Sequence, residues 1–199
     1  MIRKFVLILS FIALCDVVCA QWGMLRSGDL LFVSDTAGMG QAVKETTGSY
    51  THVAMVERSG DSLFVIDATP KLGVARCWFS DFIAQFPVFD VYRPTVTIDT
   101  AAIIPRVHAM LGRPYDMAFM PGNDAYYCSE LIQALYVVGG DTLFKSEPMN
   151  WRDAEGKIPD YWVEHFRSLG LAVPEGVPGT NPTALSRSPL LRKMKIGNR

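Results

Sequence analysis

Cysteine, histidine and a carboxylate can together build a nucleophile, and this sequence holds a small set of each. Cys128 lies in Tyr126-Tyr127-Cys128-Ser129-Glu130-Leu131, where the irregular polar stretch 121–125 runs into an apolar-periodic segment. Leu131, Leu135 and Val138 recur at the spacing of one helix face, so a helix is expected from near Cys128 to Gly139-Gly140. A thiol at a helix N-terminus meets unpaired N–H groups and the positive end of the helix dipole. Both favour the thiolate, which is the nucleophilic form. The competing reading makes Cys128 a small buried apolar residue on the face of Leu131 and Leu135. Cys77, between Arg76 and Trp78 in a β-type run, has no helix start beside it and is the weaker nucleophile.

His52 interrupts the apolar run Thr51–Glu57. Strand side chains alternate faces, so His52 shares a face with Ala54 and Val56, while Glu57 lies on the other. A second β-type run, Ser62–Thr69, follows a turn placed between Ser59 and Gly60. An even loop centred there sets Asp67 directly opposite His52, close enough for its carboxylate to hold the ring. Such a carboxylate fixes the tautomer and stabilises the imidazolium. The plainer reading is a buried histidine that has found a polar neighbour.

Other uses of these residues fit less well. Cys77, Cys128, His52, His108 and His165 show no paired CxxC or HxxxH spacing, so no metal site is expected. No glycine-rich nucleotide cradle is present, and no cofactor is expected. A disulfide between Cys77 and Cys128 would suit an exported structural domain and stays open beside the catalytic reading.

The elements that must position these residues read as α+β. Strands are expected at 29–34, 51–57, 62–69, 74–78 and 88–93, with short helices at 38–47, 80–86, 100–111 and 160–169. Pro105 must sit in the first turn of its helix or kink it. Asn181-Pro182 is an N-cap followed by proline at the first helical position. The run 192–195 is expected to be a solvated basic tail.

The 199 residues are 49% hydrophobic and 20% charged, which is a globular composition rather than a disordered one. A formal charge of -1 offers no footprint for nucleic acid. Arg3 and Lys4, then the apolar run 5–14 and the small-x-small site Val18-Cys19-Ala20, form a signal peptide over residues 1–20. The apolar run is too short to span a bilayer, so no transmembrane helix is expected in the mature chain. Leu14 and Val18 are bulky where lipoprotein processing needs a small residue, so ordinary cleavage is favoured over a lipid anchor. Residues 21–199 then make one exported domain, periplasmic or secreted and expected to be a monomer.

Five segments in order carry a resemblance: Gly28-Asp29-Leu30-Leu31-Phe32, Thr51-His52-Val53-Ala54-Met55-Val56, Val65-Ile66-Asp67-Ala68, Gly112-Arg113-Pro114-Tyr115-Asp116 and Tyr127-Cys128-Ser129-Glu130-Leu131. Together they resemble the permuted NlpC/P60-type papain-fold hydrolases, the YiiX/YebB-like group. In ordinary papain-like enzymes the cysteine precedes the histidine; here the order is reversed. The resemblance spans roughly Gly28 to Val138, with a looser match at 181–190. It implies a circularly permuted papain-like fold, with an antiparallel sheet or small barrel packed on the helix that bears the cysteine. It implies Cys128 as nucleophile, His52 as general base and acid, and Asp67 as third member, where many relatives carry Glu. The chemistry implied is thiol hydrolysis of an amide or acyl bond in a cell-wall peptide or an N-acyl or lipid substrate. The backbone N–H of Cys128 is the first expected oxyanion donor, with Tyr115, Tyr126 and Tyr127 as candidates for a second. A non-catalytic binding module of the same fold is the alternative.

Overall fold

A computed structural model describes residues 22–197, so the signal-peptide reading of 1–20 lies outside the described residues. Five strands follow the alternation read from the sequence: β1 (Leu30–Val33), β2 (His52–Ser59), β3 (Ser62–Thr69), β4 (Gly73–Trp78) and β5 (Phe89–Pro94). Among the described residues the helices are α1 (Met39–Thr47), α2 (Phe79–Gln85), α3 (Thr100–Met110), α4 (Cys128–Leu135), α5 (Asp160–Ser168) and α6 (Pro182–Ser186). Two short ladders, β6 (Val137–Val138) with β7 (Asp141–Thr142) and β8 (Glu147–Pro148) with β9 (Pro178–Gly179), and the strand β10 (Leu191–Gly197) complete the described residues.

The main sheet runs β10-β5-β1-β2-β3-β4, and every neighbouring pair is antiparallel. It is open, with β10 and β4 at its edges, and so is a sheet rather than a closed barrel. Alternation divides its side chains between two cores. Leu30, Phe32, Val53, Met55 and Ile66 face α4, whose Leu131, Ile132 and Leu135 are at most 1% exposed. Each such side chain contributes roughly 1.5–3 kcal/mol by leaving water. The other face carries Leu31, Val33, Ala54, Val56 and Val65 against Phe79 and Phe82 of α2 and against Trp22. A third cluster of Phe119, Tyr127, Trp151, Trp162 and Phe166 lies under the long connections outside the sheet.

The structure corrects several local expectations. The β2–β3 loop is Gly60-Asp61, with Ser59 opposite Ser62, so the turn centre lies one residue later than expected. Gly60 has φ 57, the conformation a type II′ turn needs at its first loop position. Helix α4 ends at Leu135, because Gly139 and Gly140, both at positive φ, close a tight hairpin that draws Val137–Val138 into a ladder. Val138 is thus exposed rather than on a buried helix face. Helix α2 begins at Phe79, one residue before the expected 80–86 segment, and its start has no side-chain cap. Pro105 sits inside α3, whose start is capped by Asp99 accepting the Ala102 N–H. The basic run 192–195 is no free tail; it pairs with β5 in β10, and Lys193 meets Asp90 at 2.9 Å. Asn181 does cap α6, accepting the Ala184 N–H at 2.8 Å.

Candidate active site

Helix α4 starts at Cys128 because Tyr127 is extended (φ -84, ψ 166) and its carbonyl takes the first intrahelical bond, from the Leu131 N–H at 2.9 Å. Glu130 reaches back to accept the Tyr127 N–H at 3.4 Å. The Cys128 N–H finds no acceptor among the described residues, as expected of a first-turn donor. The amphipathic helix anchors its apolar face on β2 and β3, which fixes its first residue against the end of the sheet.

His52 is the first residue of β2, opposite Val33 of β1. The backbone leading into it is tied down from two sides. Thr51 Oγ1 accepts the Asp35 N–H at 2.8 Å, and Thr183 Oγ1 accepts the Tyr50 N–H at 3.0 Å while its hydroxyl donates to the Tyr50 carbonyl at 3.1 Å. The imidazole Nε2 stands 2.8 Å from Asp67 Oδ1. The two atoms are at ion-pair distance without the alignment of a full hydrogen bond, so attraction between charges dominates the contact. The Cys128 side chain lies near enough to the ring to act on it in the same direction as Asp67. Phe86 covers the ring, its centroid 5.3 Å away.

Burial by itself pushes the imidazole of His52 down. The Asp67 charge, hydrogen bonding to Asp67 and the nearby Cys128 together more than offset this, and the ring is held well above the usual histidine range. The other thiol behaves differently. Burial, followed by the charges of Asp67 and Asp81, pushes Cys77 up to about 11. Both cysteines are free, so the Cys77–Cys128 disulfide considered from the sequence is not formed.

Cys128, His52 and Asp67 open on one cavity of about 510 Å³. Tyr115 and Tyr127 line it as well; Tyr126 does not, its backbone N–H instead bonding the Pro114 carbonyl at 3.0 Å. Tyr127 is 4% exposed, and its hydroxyl accepts the Thr180 N–H at 3.0 Å, which ties it to the chain after β9. Burial pushes its phenol up to about 12. The Tyr115 hydroxyl bonds no described residue, and burial followed by the nearby Cys128 charge raises its phenol well above the ordinary range. It therefore stays a proton donor. Glu57, on the opposite face of β2 as read, pairs with Arg76 at 2.7 Å, and Asp29 pairs with Arg93 at 2.6 Å. His108 is exposed on α3, and His165 Nε2 meets the Met117 carbonyl at 2.7 Å. Among the described residues no three metal-binding side chains converge, and no helix is long and apolar enough to cross a membrane.

Three positioning residues gave no sign in the sequence. Phe86 and Thr183 act from distant segments, and Phe119 is a buried non-glycine residue at φ 52. No periodicity or spacing marks any of them.

A histidine strand, a carboxylate strand and then a cysteine helix, joined on a six-stranded antiparallel sheet, define a permuted papain-like α+β hydrolase. Residues 24–195 match the family described as "Permuted papain-like amidase enzyme, YaeF/YiiX, C92 family". The chain belongs to that family and is a cysteine hydrolase of the amidase and peptidase class. The crystal structure of yiiX from Escherichia coli O157:H7, described as a metalloprotein, matches it in fold with a TM-score of 0.74. The match covers 86% of this chain and 97% of that one at 20% identity. No curated protein sequence matches the chain.

Proposed function

We propose that this chain is an exported amidase that works through Cys128, His52 and Asp67 and a thioacyl intermediate. The observation that carries the reading is one half-buried imidazole that stands 2.8 Å from the Asp67 carboxylate and beside the Cys128 thiol at a cavity wall. A raised imidazole holds a proton next to the sulfur, which favours the thiolate–imidazolium pair. The thiolate attacks the carbonyl carbon, a C–S bond forms, and the carbonyl electron pair moves onto oxygen. The free Cys128 N–H and the Tyr115 hydroxyl are the donors offered to that oxyanion. Collapse breaks the C–N bond, and the His52 proton goes to the leaving amine. Water then attacks the thioester, His52 takes its proton, and the acid leaves as the thiolate returns. The basic, apolar and small-residue pattern of residues 1–20 supports export.

The test is hydrolysis of N-acyl p-nitroanilides by the purified chain and by Cys128→Ala and His52→Ala. Loss of all turnover in Cys128→Ala and a fall of about 10²–10⁴-fold in His52→Ala are expected. Turnover that survives in Cys128→Ala overturns the proposal.

A further inference from the structure

We infer that the substrate carries an anionic group, a carboxylate or a phosphate, remote from the scissile bond, and that Lys145 and Arg187 hold it in a second groove that opens from the Cys128 cavity. The inference rests on the proposed nucleophile for the position of the scissile bond. The groove has a volume of about 540 Å³ and lies between the end of α1, helix α6 and the segment 143–150. Thr46, Thr47, Met149, Asn150, Thr180 and Asn181 line both spaces, so the two are continuous. A substrate bound at Cys128 and long enough to pass Thr180 on this side enters the groove.

The groove differs from the cavity in charge. Asp35, Asp67 and Asp81 line the cavity against Lys71 and His52, whereas Lys145 and Arg187 line the groove against Glu147. Neither of these two cations pairs with a described acid. Both stand on anchored backbone. Gln133 of α4 donates to the Phe144 carbonyl at 2.7 Å and to Ser146 Oγ at 2.9 Å, on either side of Lys145. Arg187 closes α6, its N–H bonding the Ala184 carbonyl at 3.1 Å. The β8–β9 ladder, with Glu147 opposite Gly179, holds the segment 143–150 next to Thr180. At the passage between the two spaces Thr180 is 7% exposed, and its Oγ1 bonds no described residue, while its N–H is fixed by the Tyr127 hydroxyl. Buried hydroxyls in folded proteins are nearly always bonded. A polar substrate segment threading the passage supplies that partner, and two cations beyond it suit a negative group. The same cations would repel an ammonium, so the charge pattern also sets the direction in which a substrate lies.

The probes are acetyl-trialanine as the free acid, as its carboxamide and as its aminoethyl phosphate amide. Each is titrated calorimetrically into the full chain carrying Cys128→Ala, which blocks hydrolysis. At low salt at least one anionic probe is expected to bind about tenfold or more tighter than the carboxamide, and the tighter of the two identifies the group. The chain's formal charge is -1, so a general attraction for anions does not account for such a gap. The gap should shrink as added salt cuts the Debye length from about 30 to about 8 Å. Lys145→Gln and Arg187→Gln, both at exposed positions, should each reduce it about threefold or more, and Glu147→Gln should widen it. Equal binding of the three probes, no binding, or a gap indifferent to these variants overturns the inference. Hydrolysis of the same probes by the wild-type chain is followed in parallel. A charge gap in binding without any turnover would remove the catalytic reading and leave the groove. Turnover without a charge gap in binding or in KM would do the reverse.

Discussion

Asp67 lies diagonally across the β2–β3 ladder from His52, and its Oδ1 still stands 2.8 Å from the ring. The observed register, continued from Met55 opposite Ile66, places Asp67 across from Ala54. A shift of two residues preserves parity, so both side chains remain on one face. Diagonal neighbours on a face are about 7–8 Å apart at the backbone, within reach of a histidine and an aspartate extended towards each other. Asp67→Asn keeps this shape and removes the charge. Burial of His52 is then opposed chiefly by Cys128 alone, and its pKa falls. The alkaline limb of the kcat/KM profile, where the imidazolium is lost, should move to lower pH, with a loss in rate of about 10²-fold or more. The same charge affects stability. A raised histidine contributes stability that is fully present below 6.5 and is lost as pH climbs through the higher folded value. The melting-temperature gap between wild type and Asp67→Asn should therefore narrow in alkaline buffer. An unmoved alkaline limb would mean that Asp67 does not hold the proton on His52.

The face shared by His52 and Asp67 was legible because strand parity depends only on counting. Their exact opposition was not, since Ser59-Gly60 and Gly60-Asp61 are both acceptable two-residue loops. The start of α4 was legible from the polar-to-periodic change at Cys128. Its end was not, because Gly139-Gly140 serves a hairpin as well as a helix stop. Adjacent Tyr126 and Tyr127 could not be told apart before the extended N-cap sent them in different directions. Thr183 is 133 residues from Tyr50, and a contact at that separation leaves no local pattern.

The two thiols should separate cleanly under iodoacetamide. Cys77, pushed up to about 11, carries roughly 1% thiolate or less below about pH 9 and should remain almost unlabelled. Cys128 should label faster than Cys77 in the same buffer and slow sharply in His52→Ala, with sites assigned by peptide mass spectrometry. Equal labelling of both residues would show that the imidazole does not activate Cys128.

Tyr115→Phe removes one hydroxyl that bonds no described residue and leaves the ring in place. If that hydroxyl meets the oxyanion, kcat should fall about 10²–10³-fold while KM stays near its original value. A change confined to KM would make Tyr115 a wall residue only.

Thr183→Val leaves the Tyr50 N–H and carbonyl without their partner in a buried position. The cost is about 1–3 kcal/mol. For a domain of this size that is a melting-temperature fall of about 2–10 °C by scanning calorimetry. Because Tyr50 leads into His52 through Thr51, activity should fall together with stability. An unchanged melting temperature would show that α6 does not brace this segment.

Glu130 gives a pH effect of opposite sign to most carboxylates. Burial, and then the charge of Asp116, raise it to about 7, while its bond from the Tyr127 N–H acts against them. The folded state thus binds this proton more tightly than the unfolded chain, whose value is 4.5. Protonated Glu130 favours the fold, and that contribution drains away as pH rises from 4.5 towards about 7. Glu130→Gln keeps an oxygen acceptor for the Tyr127 N–H and cannot ionise. It should match wild type in melting temperature near about pH 4 and exceed it near about pH 8. The excess should grow through the interval in which Glu130 ionises, which separates a charge effect from a general change in packing. A constant offset at both pH values would place the effect in packing and would mean that Glu130 is solvated like an ordinary surface acid.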